Sequence, residues 1–279
     1  MESQRPRGAA RGELVMVHGL EGSGEAGYMR GLSQAALDAG FAAHRFHMRT
    51  CGGTEHLCQT LYHSGLTSDL LAVLREMAAD GLGPVFLAGF SLGGNVVLKL
   101  AGELREDAPA LFRGVCAVST PIDLAASCDR LAKWDNRLYE WRFIRSMQRR
   151  LSATGRYRAE DFAGVRSIRD LDNRITAPAF GFRDALHYYQ SQSAALYLDN
   201  IRVPAMLIQA QDDPIIPFES YHHPAFGTNP NLTLLAPDHG GHVGFVARGN
   251  PRFWAEAAII EWISFEIEGT NTASTSSSH

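Results

Sequence analysis

Residues 85–93 read VFLAGFSLG, an apolar run that ends in a serine framed by glycines. The run is typical of a buried parallel strand, and the residues that follow, GNVVLKLAGELRE, have apolar side chains at helical spacing. Between them, Gly89-Phe90-Ser91-Leu92-Gly93 has the GxSxG form of a nucleophile elbow, in which a sharp turn from strand to helix raises the serine above the sheet. Glycines are needed because the turn leaves no room for Cβ atoms. The pattern predicts Ser91 as a nucleophile.

Short apolar runs alternate with longer segments of helical period along the rest of the chain. This alternation predicts an α/β fold whose mostly parallel sheet is covered by helices. About six strands are expected, at residues 13–17, 42–46, 85–88, 114–119, 205–210 and 232–235. Helices are expected at residues 28–39, 66–79, 93–105 and 251–266, and Gly269 provides a stop signal for the last of them.

The connection after the fourth predicted strand is too long for an ordinary loop. Residues 125–202 contain helical segments rich in aromatic side chains and no convincing strand. We interpret them as a helical cap inserted into a core that comprises residues 13–124 and 203–268. The polar ends, residues 1–12 and 269–279, are expected to be flexible because they cannot offset their ordering entropy by burying apolar surface.

A serine nucleophile needs a general base, and the base needs an acid that orients it. Both follow predicted strands downstream of Ser91: the pair Asp212 and Asp213 comes after AMLIQA, and His242 lies in GGHVG after LTLL. We favour Asp213 because it begins the turn Asp-Pro-Ile-Ile-Pro, with Asp212 as the alternative. His242 is favoured over His239 because glycines precede it. The candidate catalytic residues are thus Ser91, Asp213 and His242.

Acyl transfer also requires N–H donors that bind the oxyanion formed on the substrate. One candidate is the backbone N–H of Leu92, and the other is that of Leu20 in the loop HGLEGS after the first predicted strand. This loop lacks the Lys-Ser/Thr ending of a phosphate-binding P-loop, and the chain has no Cys or His set with zinc spacing. We therefore expect no cofactor and no metal.

Composition and charge exclude several other classes of protein. Of 279 residues, 26 are Lys or Arg and 30 are Asp or Glu, so a net charge of -4 provides no positive field for nucleic acid. No apolar run approaches ~18 residues and no signal-peptide core is present, so neither a membrane span nor secretion is expected. The four cysteines lack both disulfide-scaffold density and CxxC spacing. These features favour a cytoplasmic protein with reduced thiols.

Motifs distributed over nearly the whole chain make it resemble the YheT-like α/β-hydrolase family. In chain order they are HGLEGS, HMRTCGGTEH with LYHSGLTSDL, GFSLGGN, TPIDL, GFRDALHYYQSQS, QDDPIIP and GGHVGF. The resemblance implies the α/β-hydrolase fold, esterase-like chemistry, and Ser91, Asp213 and His242 as nucleophile, acid and base. Thr50 stands where the family more often has glycine, which predicts a reshaped turn that leaves the catalytic residues untouched.

The antiparallel strands that usually open this fold are not evident, because the first predicted strand already leads into the HGLEGS loop. Their absence would leave an exposed sheet edge. A homodimer that covers this edge is one explanation, and a truncated start is the other.

These features together predict a serine esterase whose partner is a small-molecule ester with a short- to medium-chain acyl group. An aromatic cap would supply an apolar acyl pocket, and we expect Phe90, Trp134, Trp141 and Phe245 to line it. Acyl transfer to an alcohol is an alternative, because an acyl-enzyme reacts with whichever nucleophile reaches it. A catalytically silent hydrolase fold that binds a ligand is the other alternative.

Overall fold

One seven-stranded sheet, in the order β1-β3-β2-β4-β5-β6-β7, forms the centre of a computed structural model that describes residues 1–275, with side chains as far as Gly269. The strands are β1 (Glu2–Gln4), β2 (Glu13–Val17), β3 (Ala42–Phe46), β4 (Val85–Phe90), β5 (Gly114–Val118), β6 (Ala205–Ile208) and β7 (Leu232–Leu235). Each neighbouring pair is parallel except β1 and β3. The predicted α/β fold is confirmed, with seven strands where about six were expected.

The additional strand, β1, lies in the segment 1–12 that was expected to be flexible. It pairs antiparallel with β3, and Arg45 Nη2 lies 2.6 Å from Glu2 Oε2. Ser3 Oγ lies 2.8 Å from His44 Nδ1. One antiparallel strand is therefore present where none was expected, because polar contacts rather than an apolar pattern hold it. β1 thus replaces β3 as the edge strand of the sheet, and the homodimer stays a prediction.

Ten α-helices accompany the sheet in the described part of the chain. They are α1 (Gly27–Asp38), α2 (Ser68–Ala79), α3 (Leu92–Leu104), α4 (Leu124–Leu131), α5 (Arg137–Ala153), α6 (Ile168–Leu171), α7 (Ala177–Ala179), α8 (Ala185–Gln192), α9 (Ala225–Thr228) and α10 (Trp254–Thr275). A π turn at Asp172–Thr176 joins α6 to α7.

Alternate residues of the central strands face two separate hydrophobic clusters. Val15 and Leu87 belong to the cluster that contains residues of α2 and α3, whereas Leu14 and Phe86 belong to the cluster that contains residues of α1 and α10. Successive strand side chains point to opposite faces of a sheet. The continuous apolar strands are therefore buried on both faces, as in other helix-covered parallel sheets.

The C-terminal helix is longer than predicted. α10 continues through Gly269 to Thr275, so the expected stop at Gly269 is wrong, whereas the flexibility of residues 269–275 stays a prediction. The predicted flexibility of residues 276–279 lies outside the described residues. A glycine inside a helix costs only about 1 kcal/mol relative to alanine. Burial of Ile259 and Ile263 against the sheet contributes roughly 1.5–3 kcal/mol per side chain, enough to offset it.

Helices α4 to α8 all lie between β5 and β6, and none of the seven described strands comes from this connection. The connection leaves and re-enters the core at neighbouring points. The N–H of Ala195 donates to the carbonyl of Ile122, and the N–H of Leu124 donates to Ser193 Oγ, each over 3.0 Å. We refer to residues 125–202, the predicted insertion, as the cap.

Candidate active site

Ser91 occupies the turn between β4 and α3 in a backbone conformation that is uncommon for residues other than glycine. Its φ is 50° and its ψ is -121°. Its N–H donates to the carbonyl oxygen of Val118 in β5 over 2.8 Å. A Cβ atom on Gly93 would lie well inside van der Waals distance of the Val17 carbonyl oxygen, so the turn admits no side chain there. A strained serine between a buried strand and a helix is the geometry of a nucleophile elbow.

Three side chains from three different loops form one hydrogen-bonded series. His242 Nε2 lies 3.0 Å from Ser91 Oγ, and His242 Nδ1 lies 2.9 Å from Asp213 Oδ2. In the tautomer with its proton on Nδ1, the imidazole donates to the carboxylate and accepts from the serine hydroxyl. The structure thus brings together the three residues that the sequence selected.

The neighbouring acid and histidine form a separate pair. Asp212 Oδ2 lies 3.1 Å from His239 Nδ1, and Asp212 Oδ1 accepts hydrogen bonds from the N–H groups of Gly240 (2.9 Å) and Gly241 (2.8 Å). The His239 side chain is 89% exposed. Asp212 therefore shapes the loop that carries His242 instead of contacting the imidazole of His242.

Hydrogen-bond donors fix the orientation of the Asp213 carboxylate. The side chain is fully buried. Its Oδ1 accepts from the N–H groups of Ile215 (2.8 Å) and Ile216 (3.1 Å), and its Oδ2 accepts from Gln209 Nε2 (3.2 Å). A carboxylate has enough lone pairs for these contacts and for the His242 contact together. Asp213 is thus held toward His242 from several directions.

The predicted oxyanion donors, Leu20 and Leu92, lie beside Ser91 in the lining of one cavity. Leu92 is the first residue of α3, a position whose N–H has no acceptor within the helix. Gly19, next to Leu20, approaches so closely that a Cβ atom there would lie 3.0 Å from Ser91 Cβ. The loop after β2 therefore packs directly against the serine, and the oxyanion role of the two N–H groups stays a prediction.

A buried ion pair fixes this loop from the cap. Arg150 Nε in α5 lies 2.8 Å from the Oε1 atom of Glu21, the residue after Leu20. The Tyr62 hydroxyl lies 3.0 Å from the same oxygen, and the Arg150 guanidinium lies 4.7 Å from the centre of the Tyr62 ring. Burial raises the pKa of Glu21, and the nearby Arg150 opposes that rise. The cap and the loop are thus joined by opposite charges withdrawn from water.

Thr50, the departure from the family pattern, takes part in the same arrangement. Its φ of 61° lies in the left-handed region that glycine adopts more easily. Its hydroxyl accepts from Arg150 Nη1 over 2.7 Å and donates to the carbonyl oxygen of Arg49 over 2.6 Å. The turn keeps a left-handed backbone, and the threonine hydroxyl adds an anchor for Arg150.

A cavity between cap and core adjoins Ser91 and His242. Most of its lining is apolar and comes from both parts of the chain: Leu20, Leu61, Leu92, Leu124, Leu131, Phe143, Met147, Leu151, Ile168, Leu171, Ile215 and Ile216. Concave sites with such linings are typical binding sites for the hydrocarbon part of a small molecule.

The prediction that Phe90 and Phe245 line the pocket is wrong, because neither contributes to this lining. Phe90 belongs to the cluster on the opposite face of the sheet, with its ring centre 4.7 Å from that of Tyr28. Phe245 packs against Trp254, at 5.9 Å between ring centres. The two-residue alternation of β4 puts Phe90 on that face.

The same prediction is wrong for Trp134 and Trp141, which lie on the outer surface of the cap and are 85% and 53% exposed. Phe143, Met147 and Leu151 recur at four-residue spacing on the other side of α5 and line the cavity. Residues at that spacing share one side of a helix. The four-residue spacing of apolar side chains in α5 is thus the sequence signal that identifies the lining.

One wall of the cavity is polar and centres on Asp172 in the π turn. The Tyr189 hydroxyl donates to Asp172 Oδ2 over 2.6 Å. Burial raises the pKa of Asp172 to about 6, and hydrogen bonds from Thr176 and Tyr189 oppose the rise. Sequence reasoning did not find this wall, because only the packing of the cap helices brings these residues to the cavity.

The described residues 1–275 hold no group of three or more His, Cys, Asp or Glu side chains placed to bind a metal ion. In the same range, no helix combines the length and the apolar character needed to cross a bilayer. All four cysteines are free thiols.

Comparisons with known proteins agree with this architecture. The α/β-hydrolase fold family matches residues 13–248. YheT of Escherichia coli strain K12, which its name assigns provisionally to the esterases, is 33% identical over 91% of this chain and 77% of its own. Monoacylglycerol lipase of Saccharomyces cerevisiae is 28% identical over 88% of this chain and 58% of its own. The structure of the Pyrococcus furiosus esterase Pf2001 aligns with a TM-score of 0.59 at 18% identity, over 91% of this chain and 83% of that one, a likeness of fold.

Proposed function

This chain belongs to the α/β-hydrolase fold family, within its YheT-like branch, and on that premise we propose that it hydrolyses carboxylic esters with short- to medium-chain acyl groups. The observation that carries the proposal is the continuous hydrogen-bonded series of Ser91, His242 and Asp213 beside an apolar cavity. Each member has a property that ester cleavage needs: a nucleophile, a general base, and an acid that orients the base.

In the first half of the proposed reaction, Ser91 Oγ attacks the acyl carbonyl carbon while His242 Nε2 takes the hydroxyl proton. The buried Asp213 carboxylate holds the Nδ1 proton and stabilises the imidazolium. The backbone N–H groups of Leu20 and Leu92 donate to the oxyanion. When the bond between the acyl carbon and the alcohol oxygen breaks, His242 returns its proton to the leaving alkoxide, and the acyl group stays on Ser91.

In the second half, water attacks the acyl-enzyme. His242 takes a proton from the water molecule, and the carboxylic acid product leaves when Ser91 regains its hydroxyl proton from the imidazolium. An alcohol that enters in place of water yields a new ester by the same steps, which keeps acyl transfer as the alternative outcome.

The cavity lining supports a hydrocarbon acyl chain as the bound part of the substrate. Side chains of α5, among them Phe143 and Met147, line the cavity together with core side chains such as Ile215. Similarity to a yeast protein named monoacylglycerol lipase supports the same class of substrate.

The proposal is tested with p-nitrophenyl esters of increasing acyl length, on the wild-type chain and on Ser91→Ala. Loss of a catalytic nucleophile typically costs 10³-fold or more in kcat, so we expect at least that loss without a change in circular dichroism. Ser152→Ala, which changes an exposed serine of α5, is the matched control. Products formed with ethanol present distinguish hydrolysis from acyl transfer.

Two outcomes would contradict the proposal. Equal turnover by wild type and Ser91→Ala would remove Ser91 as the nucleophile. Absence of turnover with every ester, together with saturable binding of one of them, would favour the silent ligand-binding alternative.

A further inference from the structure

The outer surface of the cap exposes large apolar side chains in a regular arrangement. Trp134, Leu138 and Trp141 are 85%, 70% and 53% exposed. Their four- and three-residue spacing places them along one side of α5 and the turn before it. Exposed apolar groups that cluster in this way mark interaction surfaces, whereas single ones need no explanation.

Arginines extend this side of α5 toward its C-terminal end. We call the following residues the outer face: Trp134, Leu138, Trp141, Arg142, Arg145 and Arg149. In the described part of the chain, none of these three arginines takes part in an ion pair, and the Arg145 guanidinium lies 5.1 Å from the centre of the Trp141 ring. The outer face is therefore basic in a chain whose net charge is -4.

Among the acids near the outer face, Glu55 lines one cavity together with Arg149 but forms no ion pair with it in the described part of the chain. Two other acids are engaged elsewhere. Glu140 is buried and accepts a hydrogen bond from the N–H of Ile168 over 3.1 Å. Asp135 is paired with Arg130 over 2.8 Å. The positive charge of α5 is thus available to a partner.

The side chains on the opposite side of α5 pack inside the protein. Ile144, Met147 and Leu151 are buried, and Phe143 lines the cavity beside the candidate active site. The fold therefore buries the other side of α5 and does not need the outer face for its own core. A partner bound there would be separated from the cavity by the thickness of one helix, about 10 Å.

We propose that the outer face docks on a lipid surface that carries anionic headgroups, with α5 parallel to the bilayer plane. Tryptophan is favoured at membrane interfaces, and a helix with arginine beside apolar side chains is typical of interfacial binding. The arginines contact headgroup phosphates, while Trp134, Leu138 and Trp141 enter the boundary between headgroups and acyl chains. This docking places the wall of the cavity next to a bilayer, into which apolar esters partition from water.

Two other occupants fit the surface less well. A second copy of this chain in a two-fold contact would enclose two sets of three arginines in one interface with no acid of the outer face to pair with them, since such a contact uses the same patch twice. A nucleic acid would engage the arginines through its phosphates but would leave Trp134 and Leu138 without an apolar partner.

The test is co-sedimentation with vesicles of phosphatidylcholine alone and of phosphatidylcholine with one-third phosphatidylglycerol. We expect wild type to partition at least about tenfold more strongly onto the anionic vesicles, because each arginine near an anionic surface contributes several-fold. Arg142→Glu/Arg145→Glu/Arg149→Glu should abolish this preference, and Trp134→Ala/Trp141→Ala should lower binding at least fivefold. The readout needs no turnover, and the Ser91→Ala chain should bind equally well, so it is independent of the proposed function.

Matched controls change the same chemistry elsewhere. Arg7→Glu/Arg75→Glu/Arg113→Glu alters three exposed arginines outside the cap, and Leu196→Ala/Phe265→Ala removes two exposed apolar side chains outside the outer face. Both controls should bind anionic vesicles as wild type does. Three results would overturn the proposal: equal binding of wild type to neutral and anionic vesicles, equal loss in the control variants, or a lipid-free dimer that the tryptophan variant abolishes.

Discussion

Arg150 Nε and Glu21 Oε1 lie 2.8 Å apart, and their side chains are only 9% and 4% exposed. The contact joins the cavity-lining helix of the cap to the residue that follows the predicted oxyanion donor Leu20. Removing one member of a buried ion pair leaves the other charge without compensation. The position of the loop beside Ser91 therefore depends on a residue from the cap.

Replacing Arg150 by methionine should lower the free energy of unfolding by about 3–5 kcal/mol and reduce kcat/KM for esters, because Glu21 keeps its burial and loses its cation. Urea denaturation and ester kinetics measure the two effects. Arg149→Met, at the exposed neighbouring position, should change stability by less than about 0.5 kcal/mol. The double variant Glu21→Gln/Arg150→Met should regain part of the loss, and a double variant no more stable than Arg150→Met would contradict the ion-pair account.

The two adjacent aspartates should respond very differently to amidation. Asp213→Asn should lower kcat by about 10⁴-fold, because an amide at that position no longer holds the productive histidine tautomer. Asp212→Asn should cost less than about tenfold, because Asp212 contacts His239 and the loop backbone. Steady-state kinetics on one p-nitrophenyl ester measures both values of kcat. A larger loss of kcat in Asp212→Asn than in Asp213→Asn would assign the catalytic acid to Asp212.

Adding a single methyl group at Gly93 should destabilise the elbow. The new Cβ atom would overlap the carbonyl oxygen of Val17, which belongs to β2 and cannot move independently of the sheet. We expect Gly93→Ala to lose about 3 kcal/mol of unfolding free energy or to fail to fold. Gly227→Ala, where nothing lies near the added atom, should stay within about 1 kcal/mol of wild type. Equal thermal stability of the two variants would refute the steric argument.

The charge of Asp172 should make stability depend on pH in a defined direction. Its pKa of about 6 in the folded chain lies above the value near 3.9 of an unfolded chain, so the fold favours the neutral acid. Stability is therefore lost as the pH rises from about 4 through about 6, by roughly 3 kcal/mol at most. The side chain of Asp172→Asn cannot ionise. The unfolding free energy of this variant, relative to that of wild type, should therefore increase by up to that amount as the pH rises across this range.

The control for Asp172 is the nearby Asp170, whose pKa is lowered by hydrogen bonds from backbone N–H groups, the largest from Arg166. Asp170→Asn should therefore show the opposite sign and lose stability relative to wild type as the pH rises through the acid range. Denaturation curves at pH 2, 3, 4, 5, 6 and 7 supply both comparisons, because the change at Asp170 falls mainly below about pH 4 and that at Asp172 above it. Parallel profiles for wild type and Asp172→Asn would exclude the assigned titration.

Features encoded by adjacent residues were predicted from the sequence. The elbow around Ser91, the central strands and the selection of His242 over His239 each depend on a few neighbouring positions, where turn chemistry and apolar runs act locally. The choice of Asp213 over Asp212 also agrees with the observed hydrogen bonds.

Features that arise from packing were not predicted. β1 consists of Glu-Ser-Gln and carries no apolar alternation. An ion pair and a side-chain hydrogen bond to β3 hold it instead. The polar wall around Asp172 depends on how several cap helices meet, and neither their angles nor their order in space can be read from periodicity. Trp134 and Trp141 were predicted to line the cavity from the aromatic content of the cap alone. The helical spacing places both on the outer surface of the cap.

The order of the three candidate catalytic residues along the chain also determines when the site can be completed during protein synthesis. Ser91 precedes His242 by 151 residues, and Asp213 precedes His242 by 29. At roughly 5–20 residues per second, ribosomal synthesis completes the elbow about 8–30 s before the histidine has been added. A nascent chain therefore carries the serine without its base, and ester cleavage in the proposed mechanism begins only when the last strand and its loop have been made.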